Sequence, residues 1–126
     1  MTRKVEPTRN LAFVLSEASG HRSRDTVTIQ AGEGSLEPGT LLGFVSAAKK
    51  YVASPEAEVA GKEGAEVASA ILAYGVTAGD EDVTAVIVSS DAEVKRPMLV
   101  YHASVDTDAK RAAKQDQLRK SGIKAR

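Results

Sequence analysis

The residues most suggestive of catalysis lie between positions 16 and 25. Ser16, Ser19, His21, Ser23 and Asp25 supply the hydroxyl, imidazole and carboxylate groups that a nucleophilic triad needs. Triad members, however, are brought together by the fold and usually come from segments that are distant in sequence. The residues around these serines also lack the Gly-x-Ser-x-Gly turn that exposes a nucleophilic serine. We therefore interpret His21 as a loop histidine and predict no nucleophilic catalysis here.

The sequence offers no convincing metal or cofactor site either. The chain has no Cys and two His, and neither His21 nor His102 has a partner at metal-ligand spacing. The acidic run at 79–82 lacks the ligand spacing of an EF-hand. The Gly-Glu-Gly run at 32–34 lacks the third Gly and the helix of a dinucleotide-binding loop. We predict no cofactor, no metal and no enzymatic activity, which favours a binding or structural role.

Composition indicates one domain with a light hydrophobic core. The chain has 126 residues, of which 42% are hydrophobic but only 4% aromatic, and it has no Trp. Small apolar side chains bury little area each, and burial stabilises a fold by about 25 cal/mol per Å². We therefore expect a modest core that gains stability by association.

Charge is distributed unevenly, although the formal net charge is zero. Residues 53–94 are acidic, whereas the region from 106 to the end is rich in Lys and Arg. A basic tail raises the alternative of nucleic-acid binding. The acidic middle would repel phosphate, however, and no aromatic residues interleave the basic ones to stack on bases. A solvated helix face explains the tail better, so we predict no nucleic-acid partner.

The sequence also indicates no membrane association. No apolar run approaches the roughly 20 residues that cross a bilayer as a helix. The first residues are polar and lack the apolar core of a signal peptide. We therefore expect neither a membrane span nor a secretion signal.

Short apolar runs between turn residues predict a mainly β (α+β) fold. The β-branched run at 83–88 is typical of a strand, and in the run at 26–30 the alternation places Val27 and Ile29 inward. The remaining predicted strands are 11–15, 41–45, 50–52 and 67–74. Gly43, inside one of these runs, indicates a bulge or the close approach of another segment.

One helix is predicted, from about Thr107 to Ser121. Thr107 and its flanking Asp residues suit an N-terminal cap, and residues 109–120 are good helix formers. Gly122 fits the first position past the helix, and Ile123, the next residue, could contact Leu118.

The predicted helix is mainly polar, which favours a surface position. Its apolar stripe consists of alanines at 109 and at 112 or 113, together with Leu118. Replacing Lys114 or Arg111 by Ala is expected to change stability by less than about 0.5 kcal/mol, as surface substitutions usually do. Leu118→Ala should cost more.

Four stretches carry a combination that is more specific than any of them alone. The first runs Ser-Glu-Ala-Ser-Gly-His-Arg-Ser-Arg-Asp at 16–25 into Thr-Val-Thr-Ile at 26–29, and the second is Leu-Glu-Pro-Gly-Thr-Leu-Leu-Gly at 36–43. The third joins Ala-Ile-Leu at 70–72, Ala-Gly-Asp at 78–80, Ala-Val-Ile-Val at 85–88 and Asp-Ala-Glu-Val at 91–94. The fourth is Gln-Leu-Arg-Lys-Ser-Gly-Ile at 117–123. In this order and spacing, the sequence resembles the phage lambda-type head-decoration protein family from about residue 10 onward.

The resemblance implies a β-clip-like domain with an N-terminal arm and one C-terminal surface helix. It divides the chain into a capsid-binding arm and loop at 1–25 and a decoration domain at 26–126. It also implies homotrimers that bind the major capsid protein on the outside of a phage head, at three-fold and quasi-three-fold positions, and stabilise the expanded shell. Two stretches depart from the family pattern: the Lys/Arg-rich last stretch and the basic run at 95–101. These departures affect the expected surface contacts of the helix, not the expected fold. The alternative is a β-clip-type module that binds a small molecule or a carbohydrate.

The implied capsid-binding arm can be assigned residue by residue. Its predicted contacts are Arg9, Asn10, Leu11, Phe13 and Leu15. On an extended strand Leu11, Phe13 and Leu15 would point one way, and addition of this strand to a sheet edge on the capsid would supply backbone hydrogen bonds. The predicted trimer interface comprises Phe44, Val45, Met98 and Leu99.

Overall fold

Strands dominate the architecture of the protein. The computed structural model describes residues 10–17 and 23–126, and these form ten strands, a 3₁₀ helix and one α-helix. The strands are β1 (Val14–Glu17), β2 (Arg24–Ile29), β3 (Gly34–Leu36), β4 (Leu41–Val45), β5 (Lys50–Ala53), β6 (Ala68–Leu72), β7 (Val76–Ala78), β8 (Val83–Val88), β9 (Ala92–Val94) and β10 (Ile123–Ala125). The 3₁₀ helix is Arg96–Met98 and α1 is Asp108–Lys120. The predicted mainly β class is confirmed.

Five strands close into a small barrel in the order β2-β5-β4-β6-β8. The long antiparallel ladder between β2 and β8 runs from Arg24↔Val88 to Ile29↔Val83. A single parallel pair, Ile29↔Tyr51, joins β2 to β5. β3 and β7, which are distant in sequence, pair antiparallel and form a separate two-stranded sheet.

A second sheet, in the order β1-β9-β10, brings the two ends of the described chain together. β1 pairs antiparallel with β9, and β10 pairs parallel with the other side of β9. The sequence did not predict β10, because three residues are too few to show a periodicity.

Strands β4 and β6 are largely buried on both faces, which explains why they read as apolar runs, whereas β2 has threonines, one of them exposed, between its apolar residues and reads as alternation. Inside the barrel lies a cluster that includes Ile29, Leu42, Leu72 and Ile87. The outward faces pack in a second cluster with the β1-β9-β10 sheet and α1, and its members include Phe13, Leu41, Ile71, Val88, Val94, Leu118 and Ile123. Strand β8 therefore contributes Ile87 to one core and Val88 to the other.

Gly43 is required because the chain crosses directly over β4. A Cβ at this position would lie 2.0 Å from the carbonyl oxygen of Ala65. Ala65 is fully buried and packs with Val45 and Val52. The predicted close approach at Gly43 is confirmed.

Capping residues determine where α1 begins and ends. Thr107 is the N-cap, and its side chain accepts a hydrogen bond from the backbone N–H of Lys110. Gly122 has φ +86°, and the backbone N–H groups of Ser121 and Gly122 donate to the carbonyls of Leu118 and Arg119. Both predicted ends are confirmed.

The predicted buried face of α1 is wrong. Leu118 is buried as expected, but the other buried residue of the helix is Lys114, one turn away, whereas the alanines at 109, 112 and 113 are exposed. Lys114 is therefore not a surface residue that tolerates substitution. The cause is a set of polar partners that come from a loop distant in sequence.

Candidate functional site

The segment at 10–17 is anchored to the domain through Phe13. Its ring is fully buried in the second core cluster. The backbone carbonyl of Phe13 accepts a hydrogen bond from Lys95 N–H at 2.6 Å, and Leu11 N–H donates to the carbonyl of Ala73 at 3.1 Å. Residues 10–17 thus pack on the domain, and the predicted division at 25/26 falls inside β2.

The predicted alternation from Leu11 to Leu15 is wrong, because the strand begins only at Val14. Leu11 has φ +61°, and its carbonyl accepts a hydrogen bond from the N–H of Val14, which closes a turn. Leu15 falls at an irregularity in the β1–β9 ladder, where the register shifts between Val14 and Ser16. Leu11, Phe13 and Leu15 therefore do not share one face.

The predicted arm residues consequently have different surroundings. The side chain of Leu15 is 50% exposed, and Leu11 is partly buried. Asn10 is exposed and accepts a hydrogen bond from the backbone N–H of Gly75 at its Oδ1. Arg9 lies outside the described residues. Leu15 and Asn10 are thus the predicted residues that the described segment presents at the surface, whereas Phe13 is not.

β1 lies at an edge of its sheet. Among the residues that the structure describes, β9 is its one strand neighbour. The free side of an edge strand offers N–H and C=O groups to a strand from another chain. The geometry therefore permits strand addition at β1.

A polar cluster beside β1 was not predicted. The Glu17 carboxylate accepts hydrogen bonds from the Ser23 hydroxyl and from the Arg24 guanidinium. A third contact runs from Arg24 Nη1 to the Tyr74 hydroxyl at 3.3 Å, and the hydrogen bond to Glu17 raises the pKa of Arg24. The cluster ties the end of β1 to the start of β2. Ser23 and Arg24 belong to a stretch that the resemblance singles out, but no sequence signal indicates Tyr74.

The four predicted trimer-interface residues also differ in exposure. Phe44 is 37% exposed on β4 and its ring packs against Tyr51, with centroids 5.3 Å apart. Val45 is fully buried, Leu99 is nearly so, and Met98 is partly buried against the second core cluster. Phe44 is therefore the residue of this set with most side chain available to a partner.

The residues considered for a triad are dispersed. Ser16 lies exposed on β1, Ser23 is bonded to Glu17, and Asp25 accepts a hydrogen bond from Ser89. Ser19 and His21 lie outside the described residues. The described members make no nucleophile–base pair with one another.

A groove of about 760 Å³ lies between the segment 96–106 and α1. Its aromatic residue, Tyr101, is occupied: Arg111 covers the ring at 5.7 Å, and Gln115 donates to the hydroxyl at 2.9 Å. A sugar that stacks on the same face of the ring would have to displace Arg111. Within residues 10–17 and 23–126, no group of three acidic, His or Cys side chains could hold a metal ion, and no helix is long and apolar enough to span a membrane.

Comparison with known families decides what this arrangement belongs to. The family model described as Bacteriophage lambda head decoration protein D matches residues 3–123. The chain belongs to this family of phage head decoration proteins. The match covers nearly the whole chain, including the edge strand, the barrel and α1. No curated protein matches the chain.

Membership identifies a structural protein associated with the phage head. The family is one of capsid decoration proteins and is not known as an enzyme family. The resemblance stated from the sequence is thus confirmed for the family and for location on the virion capsid. The individual contact residues stay predictions.

Proposed function

We propose that this decoration protein binds as a homotrimer to the outer surface of the expanded phage head and stabilises it against outward pressure. Its binding positions would be the three-fold and quasi-three-fold axes, where one trimer can contact several copies of the major capsid protein. The observation that carries the proposal is the family match over residues 3–123. The edge position of β1 supports it by offering a strand to a partner.

The N-terminal region is the proposed capsid contact, with its roles divided by burial. Phe13 anchors the segment from inside the domain, whereas Leu15 and Asn10 are exposed on and beside β1, which is an edge strand among the described residues. Each backbone hydrogen bond gained nets only about 1 kcal/mol. Burial of apolar side chains must therefore supply the rest, at about 1.5–3 kcal/mol for a fully buried Leu. A trimer would add effective concentration, because three arms engage one surface together.

The test is decoration of heads purified without their decoration protein. Co-sedimentation should show saturable binding, and a cryo-EM map should show trimers at three-fold positions. Deletion of residues 1–9, which keeps Phe13, should weaken binding while leaving the circular-dichroism spectrum unchanged. A deletion that extends to residue 16 would not be a clean test, because it removes a core side chain.

A point substitution with a matched control sharpens this test. Leu15→Asp should reduce capsid binding at least tenfold. The same change at Val59, an aliphatic side chain that is 41% exposed on a loop, should leave binding within about twofold. Equal binding by wild type and Leu15→Asp would show that β1 is not the contact.

The trimer is proposed to form through the Phe44 region of one copy and the Met98 region of the next. Val45 and Leu99 would support these patches from the core rather than touch the partner, since their side chains are buried. Sedimentation velocity should give a trimer for the wild type and a shift toward monomer for Phe44→Glu. Monomer alone, both free and on heads, would refute the trimer.

The structure gives less support to nucleic-acid binding. At least four cations of the C-terminal region are engaged within the chain: Lys110 with Asp106, Arg111 with Asp108, Arg126 with Glu93, and Lys114 in the interior. A DNA titration at several salt concentrations tests this, since phosphate binding depends steeply on salt. We expect no salt-dependent binding.

A further inference from the structure

The loop between β5 and β6, residues 54–67, is long and contains neither helix nor strand. Connections of this length are uncommon in compact domains and are usually either functional or disordered. Residues 56–61 are exposed, but Ser54, Pro55 and Ala65 near the two ends are buried. Since the middle of the loop contributes little burial, contacts at its ends must hold it.

One cation joins both ends of this loop. Lys114 Nζ, from α1, donates to the carbonyl of Pro55 at 2.6 Å and to Ser54 Oγ at 2.9 Å. It also donates to the carbonyl of Glu66 at 2.5 Å, at the opposite end. An ammonium has three N–H donors, so these three acceptors use all of them.

The network continues beyond the ammonium. Ser54 Oγ, which accepts from Lys114, donates to the carbonyl of Ala65 at 2.7 Å. One turn of helix further along, Gln117 Oε1 accepts from the backbone N–H of Ala68 at 2.8 Å. The polar side chains of α1 thus satisfy backbone groups that the loop leaves unpaired as it enters and leaves the interior.

Lys114 is suited to this buried position by its hydrogen-bond donors as well as by the length of its side chain. Its side chain is only 2% exposed, and burial lowers its pKa while the nearby carboxylates of Glu56 and Glu66 oppose that effect. A side chain of similar length without donors would leave the buried carbonyl of Pro55, the partly buried carbonyl of Glu66 and the Ser54 hydroxyl without this partner. Unpaired buried polar groups are costly.

Other contacts hold single points of the loop. Glu63 O accepts from Ser46 N–H at 3.1 Å, and Lys62 pairs with Glu33 at 2.9 Å. Near the first end, Glu56 N–H donates to Ser104 Oγ at 2.8 Å. Each of these ties one position to the body of the domain. Ser54 joins the two ends of the loop to each other through Ala65, and Lys114 connects both ends to α1.

We propose that Lys114 is a latch: its ammonium clamps both ends of the loop 54–67 onto α1, and without it the loop opens as a unit while the barrel stays folded. The proposal rests on contacts within the domain and does not depend on the capsid contact proposed above. The Lys114 contacts hold this acidic loop in one position on the surface, although the loop buries few side chains of its own.

Hydrogen exchange measured by mass spectrometry tests the latch on the full-length protein. Lys114→Met keeps the length of the side chain and removes its donors, and Lys120→Met makes the same change at an exposed position of α1. Peptides covering 54–67 should exchange about ten- to a hundredfold faster in Lys114→Met than in wild type, as expected for loss of charge-assisted hydrogen bonds. Peptides covering β8 should change less than about threefold, and Lys120→Met should match wild type throughout.

Two outcomes would overturn the proposal. Unchanged exchange in the loop would show that the other anchors suffice, and an equal increase in the loop and in β8 would make Lys114 a general stabiliser of the fold. Should Lys114→Met fail to fold, Ser54→Ala tests the same network, because it removes the acceptor that relays the contact to Ala65. It should accelerate exchange severalfold in the loop alone, and a uniform increase or no increase would refute the latch.

Discussion

Replacing Phe13 by Ala should destabilise the domain strongly, although the residue lies in the segment assigned to capsid binding. Its ring is fully buried among Val94, Leu118 and other core side chains. Truncating a buried Phe to Ala costs about 3–5 kcal/mol, from lost transfer free energy and the cavity left behind. Unfolding entropy is about 2.1 cal/mol/K per residue, so over 126 residues this loss lowers Tm by about 11–19 °C. Leu15→Ala, at a half-exposed position, should cost less than about 1 kcal/mol.

The assay is urea unfolding followed by circular dichroism, with wild type and both variants at one protein concentration, because association would make stability depend on concentration. Capsid co-sedimentation is then measured at a temperature where each variant is folded. We expect Phe13→Ala to lose stability but keep appreciable binding, and Leu15→Asp to do the reverse. A Phe13→Ala variant that kept wild-type stability but no longer bound heads would refute the core assignment.

Three further predictions follow from individual contacts. Because burial lowers the pKa of Lys114, the unfolded chain binds more protons above the lowered value, so stability from this group rises with pH up to about 10.5. The difference in unfolding free energy between wild type and Lys114→Met should therefore grow as the pH is raised toward about 10.5; a difference that shrinks would show that folding does not lower the pKa of Lys114. Gly43→Ala should cost about 1–3 kcal/mol through overpacking against the Ala65 carbonyl, whereas Gly79→Ala, with no atom within 4 Å of the added Cβ, should be nearly neutral by urea unfolding. Thr107→Ala should cost about 1 kcal/mol by loss of the N-cap hydrogen bond, and an unchanged Tm would argue against that cap.

The sequence determined the elements whose signals are local. β8 follows from its β-branched run, and α1 from its cap at Thr107 and from Gly122 beyond its end. Gly43 also indicated a crowded position, because a Gly inside an apolar strand often lies where another backbone approaches closely. Local propensities and turn chemistry act over a few neighbouring residues, so they can be read without knowledge of the fold. The family could likewise be recognised from short motifs in order.

Tertiary structure alone decided which side chains are buried at positions where the local sequence pattern indicates exposure or leaves it open. Phe13 lies in an apolar run that could equally be an exposed binding strand, and it is buried because β1 pairs with β9, about eighty residues away in the chain. Lys114 looks like a solvated helix residue, yet it is buried because Pro55 and Glu66 aim their carbonyls at it. Burial of a polar group depends on acceptors supplied from elsewhere in the chain. No periodicity along the helix encodes those acceptors, and only the folded chain brings them together.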